Sequence, residues 1–103
     1  VKEKKPYLNP ELSLNQLAES INISPRILSQ IINEHFNQNF QDYINQFRIE
    51  ESKKFLVDSK NKKTVLEILY EVGFNTKSAF NIAFKKFTGL TPTDYRKKYS
   101  QDK

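Results

Sequence analysis

Apolar residues recur at helical spacing in two stretches of this chain, and the two stretches match. In the first, from Leu14 to Phe36, the apolar positions are Leu17, Ala18, Ile21, Ile23, Leu28 and Ile32. In the second, from Val65 to Phe87, Ile68, Leu69, Val72, Phe74, Phe80 and Phe84 answer them, 51 residues later up to the turn and 52 beyond it. Spacings of three and four residues place each set on one face of a helix. Each stretch therefore predicts a short helix, a tight turn and a second helix, the arrangement that presents its second helix to a DNA major groove.

Capping residues sharpen the boundaries. Ser13 with Gln16, Asn39 with Asp42, Thr64 with Glu67 and Thr91 with Asp94 each place a capping side chain three residues before an acid or amide, and Pro25 and Pro92 follow Ser24 and Thr91 in first-turn positions. Helices are expected at about residues 14–21, 25–36, 40–58, 65–72, 76–87 and 92–99, with no strand. The third carries an apolar stripe of Phe40, Tyr43, Ile44, Phe47, Phe55 and Leu56, interrupted by Arg48, Glu50, Glu51, Ser52, Lys53 and Lys54. That pattern predicts a linker packing one motif at each end and crossing water between them. Residues 1–6 read as the tail of an upstream helix, residues 60–63 as a basic connection, and the last few residues as frayed.

Composition removes several classes of function. A chain of 103 residues with 37% hydrophobic content supports a modest core and no enclosed substrate cavity. The absence of Cys excludes disulfides, thiolate metal sites and thiol nucleophiles. His35 is the single His and falls on the apolar side of its helix, where a packing role is expected, so neither an enzyme, a metal site nor a cofactor is anticipated. With no apolar run near membrane-spanning length and no signal peptide, the stretch reads as soluble. Charge is uneven: residues 1–40 carry four basic and four acidic residues, and residues 41–103 carry 13 against 8. The whole +5 excess lies in the later part, which suits a polyanionic partner.

Stepping about 100° per residue gives the outward faces. On the second helix of the first motif, Leu28, Ile31, Ile32 and His35 are expected inside and Arg26, Gln30 and Asn33 outside, with Ser29 beside them. In the second motif Phe80, Ala83, Phe84 and Phe87 define the inside. Ser78, Ile82 and Lys85 face out there, flanked by Asn75, Asn81 and Lys86. Such side chains suit base edges: Arg grips guanine, Gln and Asn pair with adenine, and an exposed aliphatic covers a thymine methyl. Backbone contacts are expected from the helix starts at Ser24, Asn75 and Thr76 and from Lys77, Lys85, Lys86, Arg96, Lys97 and Lys98.

The run from Val72 to Arg96, with a Gly-Phe turn, Ser78-Ala79-Phe80, Phe84-Lys85, Gly89-Leu90-Thr91-Pro92 and Tyr95-Arg96, resembles the signature of the AraC/XylS family of bacterial transcription regulators. Leu17-Ala18-Glu19, Ser24 to Ser29 and Tyr43-Ile44 to Arg48 resemble its first helix-turn-helix and linker, so the likeness covers about residues 12–99. It implies an all-α fold of two helix-turn-helix subdomains joined by a long linker helix, a homeodomain-like tandem. The expected organisation is residues 13–37, linker 39–58, residues 64–88 and a C-terminal helix at 91–99. It further implies base reading by Arg26, Ser29 and Gln30, then by Lys77, Ser78, Asn81 and Ile82. The family often has Arg where Ile82 stands, so the chain departs from the pattern there.

The implied partners are double-stranded DNA, RNA polymerase, and a sensing or dimerising region outside these 103 residues, with no small-molecule ligand in the domain itself. The implied location is the cytoplasm. Residues 6–10, 28–33 and 40–45 resemble the variety carried by Bacteroidetes sensor proteins, some of them membrane-anchored. A helical protein-interaction module, anchored through Phe36, Ile82 or Tyr99, is the alternative. RNA is disfavoured, because no exposed aromatic platform is evident for stacking single-stranded bases.

Overall fold

The computed structural model describes residues 5–58 and 63–99. The expectations for residues 1–4, for residues 60–62 of the basic connection and for the frayed end at 100–103 lie outside the described residues. Six α-helices follow a 3-10 turn at Pro6–Leu8: α1 (Leu14–Ser20), α2 (Pro25–Phe36), α3 (Phe40–Val57), α4 (Val65–Glu71), α5 (Lys77–Thr88) and α6 (Pro92–Tyr99). Among the described residues there is no strand.

The sequence repeat is reproduced bond by bond. Ser13 and Gln16 close a reciprocal capping box at the start of α1, and Thr64 and Glu67 close the same box 51 residues later. Each first helix ends with a six-residue reverse bond, Ile23 N to Ala18 O at 3.1 Å and Phe74 N to Leu69 O at 2.9 Å. The left-handed residue this turn needs is Asn22 (φ 61°) in the first copy and Gly73 (φ 105°) in the second. Each second helix ends on a left-handed cap, Asn37 and Gly89, whose amides donate to Asn33 and Lys85 carbonyls.

Two apolar cores result. The first holds Tyr7, Leu17, Ala18, Leu28, Ile32 and Ile44. The second, larger core holds Ile49, Leu56, Ile68, Leu69, Val72, Phe74, Phe80, Ala83 and Phe84. α3 contributes to both, and Leu8 packs against both. The first copy is the looser: Ile21 is 44% exposed and Ile23 half-buried, where their counterparts Val72 and Phe74 are buried.

Three expectations are corrected. The middle of α3 does not cross water, since Arg48, Glu51 and Ser52 are buried. Arg48 donates from Nε to Tyr7 O at 2.6 Å, from Nη2 to Asn9 O at 3.1 Å and from Nη1 to Asn45 Oδ1 at 3.1 Å. Its guanidinium carbon lies 5.7 Å from the centre of the Phe74 ring. Burial pulls this guanidinium below its ordinary value, but Arg starts high enough to stay charged. Burial also opposes ionisation of Glu51, yet the hydrogen bond and charge of Lys5, with Lys54, outweigh it and hold the carboxyl below the usual carboxylate range.

The second correction concerns only the end of the N-terminal segment. Lys5 is left-handed (φ 51°) and Pro6 opens a 3-10 turn, so these two residues are not α-helical, and the stretch from Lys5 to Asn9 straps across α3 under the hold of Arg48. The third is His35, which is exposed, as is Ile31 at 39%. The equivalent positions of the second copy, Phe87 and Ala83, pack against its core although its helices have the same 7 and 12 residues, so the looser packing of the first copy extends to the end of α2.

The two glycines separate conformational strain from contact. A Cβ at Gly89 would meet nothing within 4 Å, whereas one at Gly73 would lie 2.5 Å from Tyr7 O and 2.8 Å from Arg48 Nε. Gly89→Ala should therefore cost about 1 kcal/mol, the left-handed penalty alone. Gly73→Ala should cost more than about 3 kcal/mol, because backbone must also move. Urea unfolding of the two variants measures the difference.

Candidate nucleic-acid interface

α2 and α5 are held by narrow apolar stripes, Leu28 and Ile32 on α2 and Phe80, Ala83 and Phe84 on α5. The opposite faces meet solvent. Arg26, Gln30 and Asn33 are exposed on α2, and Lys77, Ser78, Asn81 and Ile82 on α5. Ser29 is half-buried at the edge of its face. Gln30 Nε2 donates to Glu34 Oε2 at 3.2 Å, which lays its amide along the helix surface. Exposed Ile27 (49%) adds an aliphatic beside Arg26 that helical stepping had not singled out.

At the helix starts, Ser24 and Thr76 act as caps, accepting from Ile27 N at 3.2 Å and Ala79 N at 3.1 Å. Each hydroxyl retains a proton to donate, beside first-turn amides that lack helical partners. Asn75 is exposed next to the second cap. These are features an anion can use.

The candidate cations divide. Lys77 and Lys85 are exposed, and the ion pairs among the described residues involve neither. Lys86 reaches Asp42 at 2.7 Å, joining the end of α5 to the start of α3. Lys97 and Lys98 are exposed near the end of α6. Arg96, placed by sequence among the phosphate contacts, turns inward. Its Nε donates to Leu56 O at 3.1 Å and its Nη2 to Lys63 O at 2.9 Å. It thereby satisfies a carbonyl of the last turn of α3 and ties α6 to the approach to α4.

The outward side of α5 lies in a groove. Lys77, Asn81, Ile82, Lys85 and Lys86 line it from α5, Thr64 to Leu66 from the start of α4, and Thr91 to Thr93 from the start of α6. Ile82, 70% exposed, and Leu66, 50% exposed, are its large apolar residues, with lysines along the rim. Leu66, Thr91 and Thr93 line this groove beside the candidate residues of α5, and sequence reasoning did not single them out as candidates. The capping positions Thr64 and Thr91 carried the available signal, because they mark the two helix ends that flank α5.

A family model described as "Helix-turn-helix domain" matches residues 17–98. The chain is 33% identical over 92 residues to the "uncharacterized transcriptional regulatory protein YesN" of Bacillus subtilis, an alignment covering 87% of this chain and 25% of that protein. Its fold matches the C-terminal domain of AraT, a response regulator from Geobacillus stearothermophilus, with TM-score 0.82, 29% identity, and coverage of 97% of this chain and 81% of that one. It also matches an AraC-type transcriptional regulator from Chromobacterium violaceum, with TM-score 0.79 at 19% identity over 98% of both chains.

The chain belongs to the AraC/XylS family.

As an AraC/XylS-type domain it is the DNA-binding part of a transcription regulator, all-α, with two helix-turn-helix units joined by a long helix. The AraC/XylS family comprises DNA-binding regulators and is not a family of enzymes. Only a quarter of the Bacillus subtilis relative is spanned by this chain. No helix of the described residues is long and apolar enough to cross a membrane.

The inward turn of Arg96 has a measurable consequence. Arg96→Ala leaves two carbonyls without their donor and should cost about 1–3 kcal/mol of stability. Lys85→Ala, on the exposed face, should stay within about 0.5 kcal/mol. Denaturant titration distinguishes the two lysine and arginine roles directly.

Proposed function

We propose that α2 and α5 enter adjacent major grooves on one side of a duplex and together read an operator, as the output of a larger sensing regulator. The observation that carries this reading is the repeat itself: two equivalent second helices, each with a polar outward face, on one connecting helix. α3 has 18 residues. At about 1.5 Å each that is roughly 27 Å, against roughly 34 Å between successive major-groove faces. The molecule's 48 Å long axis leaves room for the remainder.

On this reading Arg26, Gln30 and Asn33, with Ser29 at their edge, address bases from α2. Ser78, Asn81, Ile82 and Lys77 do so from α5. Ser24, Asn75, Thr76, Lys85 and a released Lys86 hold phosphates. The parent works in the cytoplasm, RNA polymerase being the partner that converts DNA occupancy into transcription. The exposed apolar residues Ile82 and Leu66 also favour a second reading, a protein-docking face. Salt separates the two. DNA binding should fall with a slope near about −0.9 per neutralised phosphate, while an apolar protein contact barely responds.

Two outcomes are expected once sites have been selected from a random duplex pool. Arg26→Ala or Gln30→Ala should each lose about 1–3 kcal/mol on the selected site and relax preference at one position. Equal loss on all sequences would make them backbone contacts instead. Replacing thymine by uracil at each position of the second half-site removes single methyl groups. One or two replacements should weaken wild-type binding by about tenfold or less, and Ile82→Ala should erase that difference. If no uracil substitution distinguishes the two proteins, Ile82 does not read a methyl.

A further inference from the structure

We propose that Arg48, acting through the strap Lys5–Asn9, sets the spacing between half-sites that the domain accepts. The proposal rests on both second helices engaging DNA at once.

Two cores could in principle rock about the helix they share. The strap is placed to prevent this. Tyr7 inserts its ring into the first core, stacked on Phe47 at 5.4 Å, while its carbonyl faces the turn of the second motif at Gly73. The fit there is close enough that even a methyl group at Gly73 would overlap Tyr7 O, 2.5 Å away. Arg48 fixes the same strap from beneath. Its fork holds Tyr7 O and Asn9 O, and its face lies 5.7 Å from Phe74 of the second core. Lys5 adds an ion pair to Glu51 at 3.0 Å. Turning the second motif about α3 would therefore pull Gly73 off the strap carbonyl and Phe74 off the guanidinium that α3 and the strap hold in place.

DNA converts that rigidity into selectivity. With about 10–10.5 base pairs per turn of 34–36 Å, one inserted pair moves a half-site by roughly 3.4 Å and rotates it by roughly 35°. A locked pair of helices cannot follow; a loosened pair can. Arg48 is thus a positioning residue, since it faces the strap and Phe74 and lies on neither outward face.

The test measures affinity for duplexes whose two half-sites are held constant while the spacer is shortened or lengthened by one and two base pairs. Wild type should show one optimum, favoured about tenfold or more over its neighbours. Arg48→Lys keeps the charge but loses the planar fork, and should flatten the profile several-fold while leaving affinity for an isolated half-site unchanged. Asn45→Ala removes one partner of the guanidinium without stranding a buried charge, and should flatten it less. It also supplies the answer if Arg48→Lys does not fold. A sharp wild-type profile that the folded variants leave equally sharp, with affinity lower at every spacing, overturns the inference and makes Arg48 a structural support only. A wild-type profile with no optimum removes the two-groove reading itself, and this inference with it.

Discussion

A single buried guanidinium stands where the two halves of the molecule meet, and much of the architecture follows from satisfying it. Burying a charge is costly unless its hydrogen bonds are made, and Arg48 makes them with two main-chain carbonyls and one side-chain amide. Those carbonyls belong to the N-terminal strap, so the strap is obliged to lie across α3. Once it lies there, the turn of the second motif must be glycine, because Tyr7 O occupies the space a side chain would need. The strap, the linker helix and the second turn are therefore one constraint seen from three sides.

The repeat and its punctuation were legible in the sequence because they are local. A capping side chain and the amide it accepts from are three residues apart, and a helical stripe needs only its own spacing. The fold class and helix positions follow from such signals, and the structure agrees to within a residue or two. Arg48 was not legible in the same way. Within its helix it interrupts an apolar stripe and reads as solvent-facing; what buries it are carbonyls 39 and 41 residues away, and a carbonyl has no sequence signature. Tyr7 was missed for the complementary reason, as a lone aromatic in a segment with no periodicity.

Arg96 and His35 show how far stepping along one helix can be trusted. Angle alone placed His35 inside, but burial also needs a packing partner; the equivalent Phe87 packs against the second core, whereas the first core, open at Ile21 and Ile23, leaves His35 in solvent. Arg96 stood in a basic run with Lys97 and Lys98, where charge suggested a shared role. Only the residue with a planar, multi-donor head turns back to close the carbonyls of Leu56 and Lys63. The two lysines, lacking that geometry, stay in solvent.

The two copies have diverged in a direction that suits divided labour on the proposed operator. The second has the tighter core and a reading helix rimmed by Lys77, Lys85 and Lys86, so it brings charge and rigidity together. The first has a partly open core, and its outward face offers Arg26, Gln30 and Asn33 with little other charge. Charge attracts any duplex, while amides and a single guanidinium discriminate among bases. A basic, rigid unit that holds the backbone would keep the less charged unit close to successive base pairs, and its hydrogen bonds could then reject wrong ones without having to supply the affinity. Ile82 fits this division. An aliphatic in the middle of the more basic face adds a sequence preference there without adding another charge to the contact.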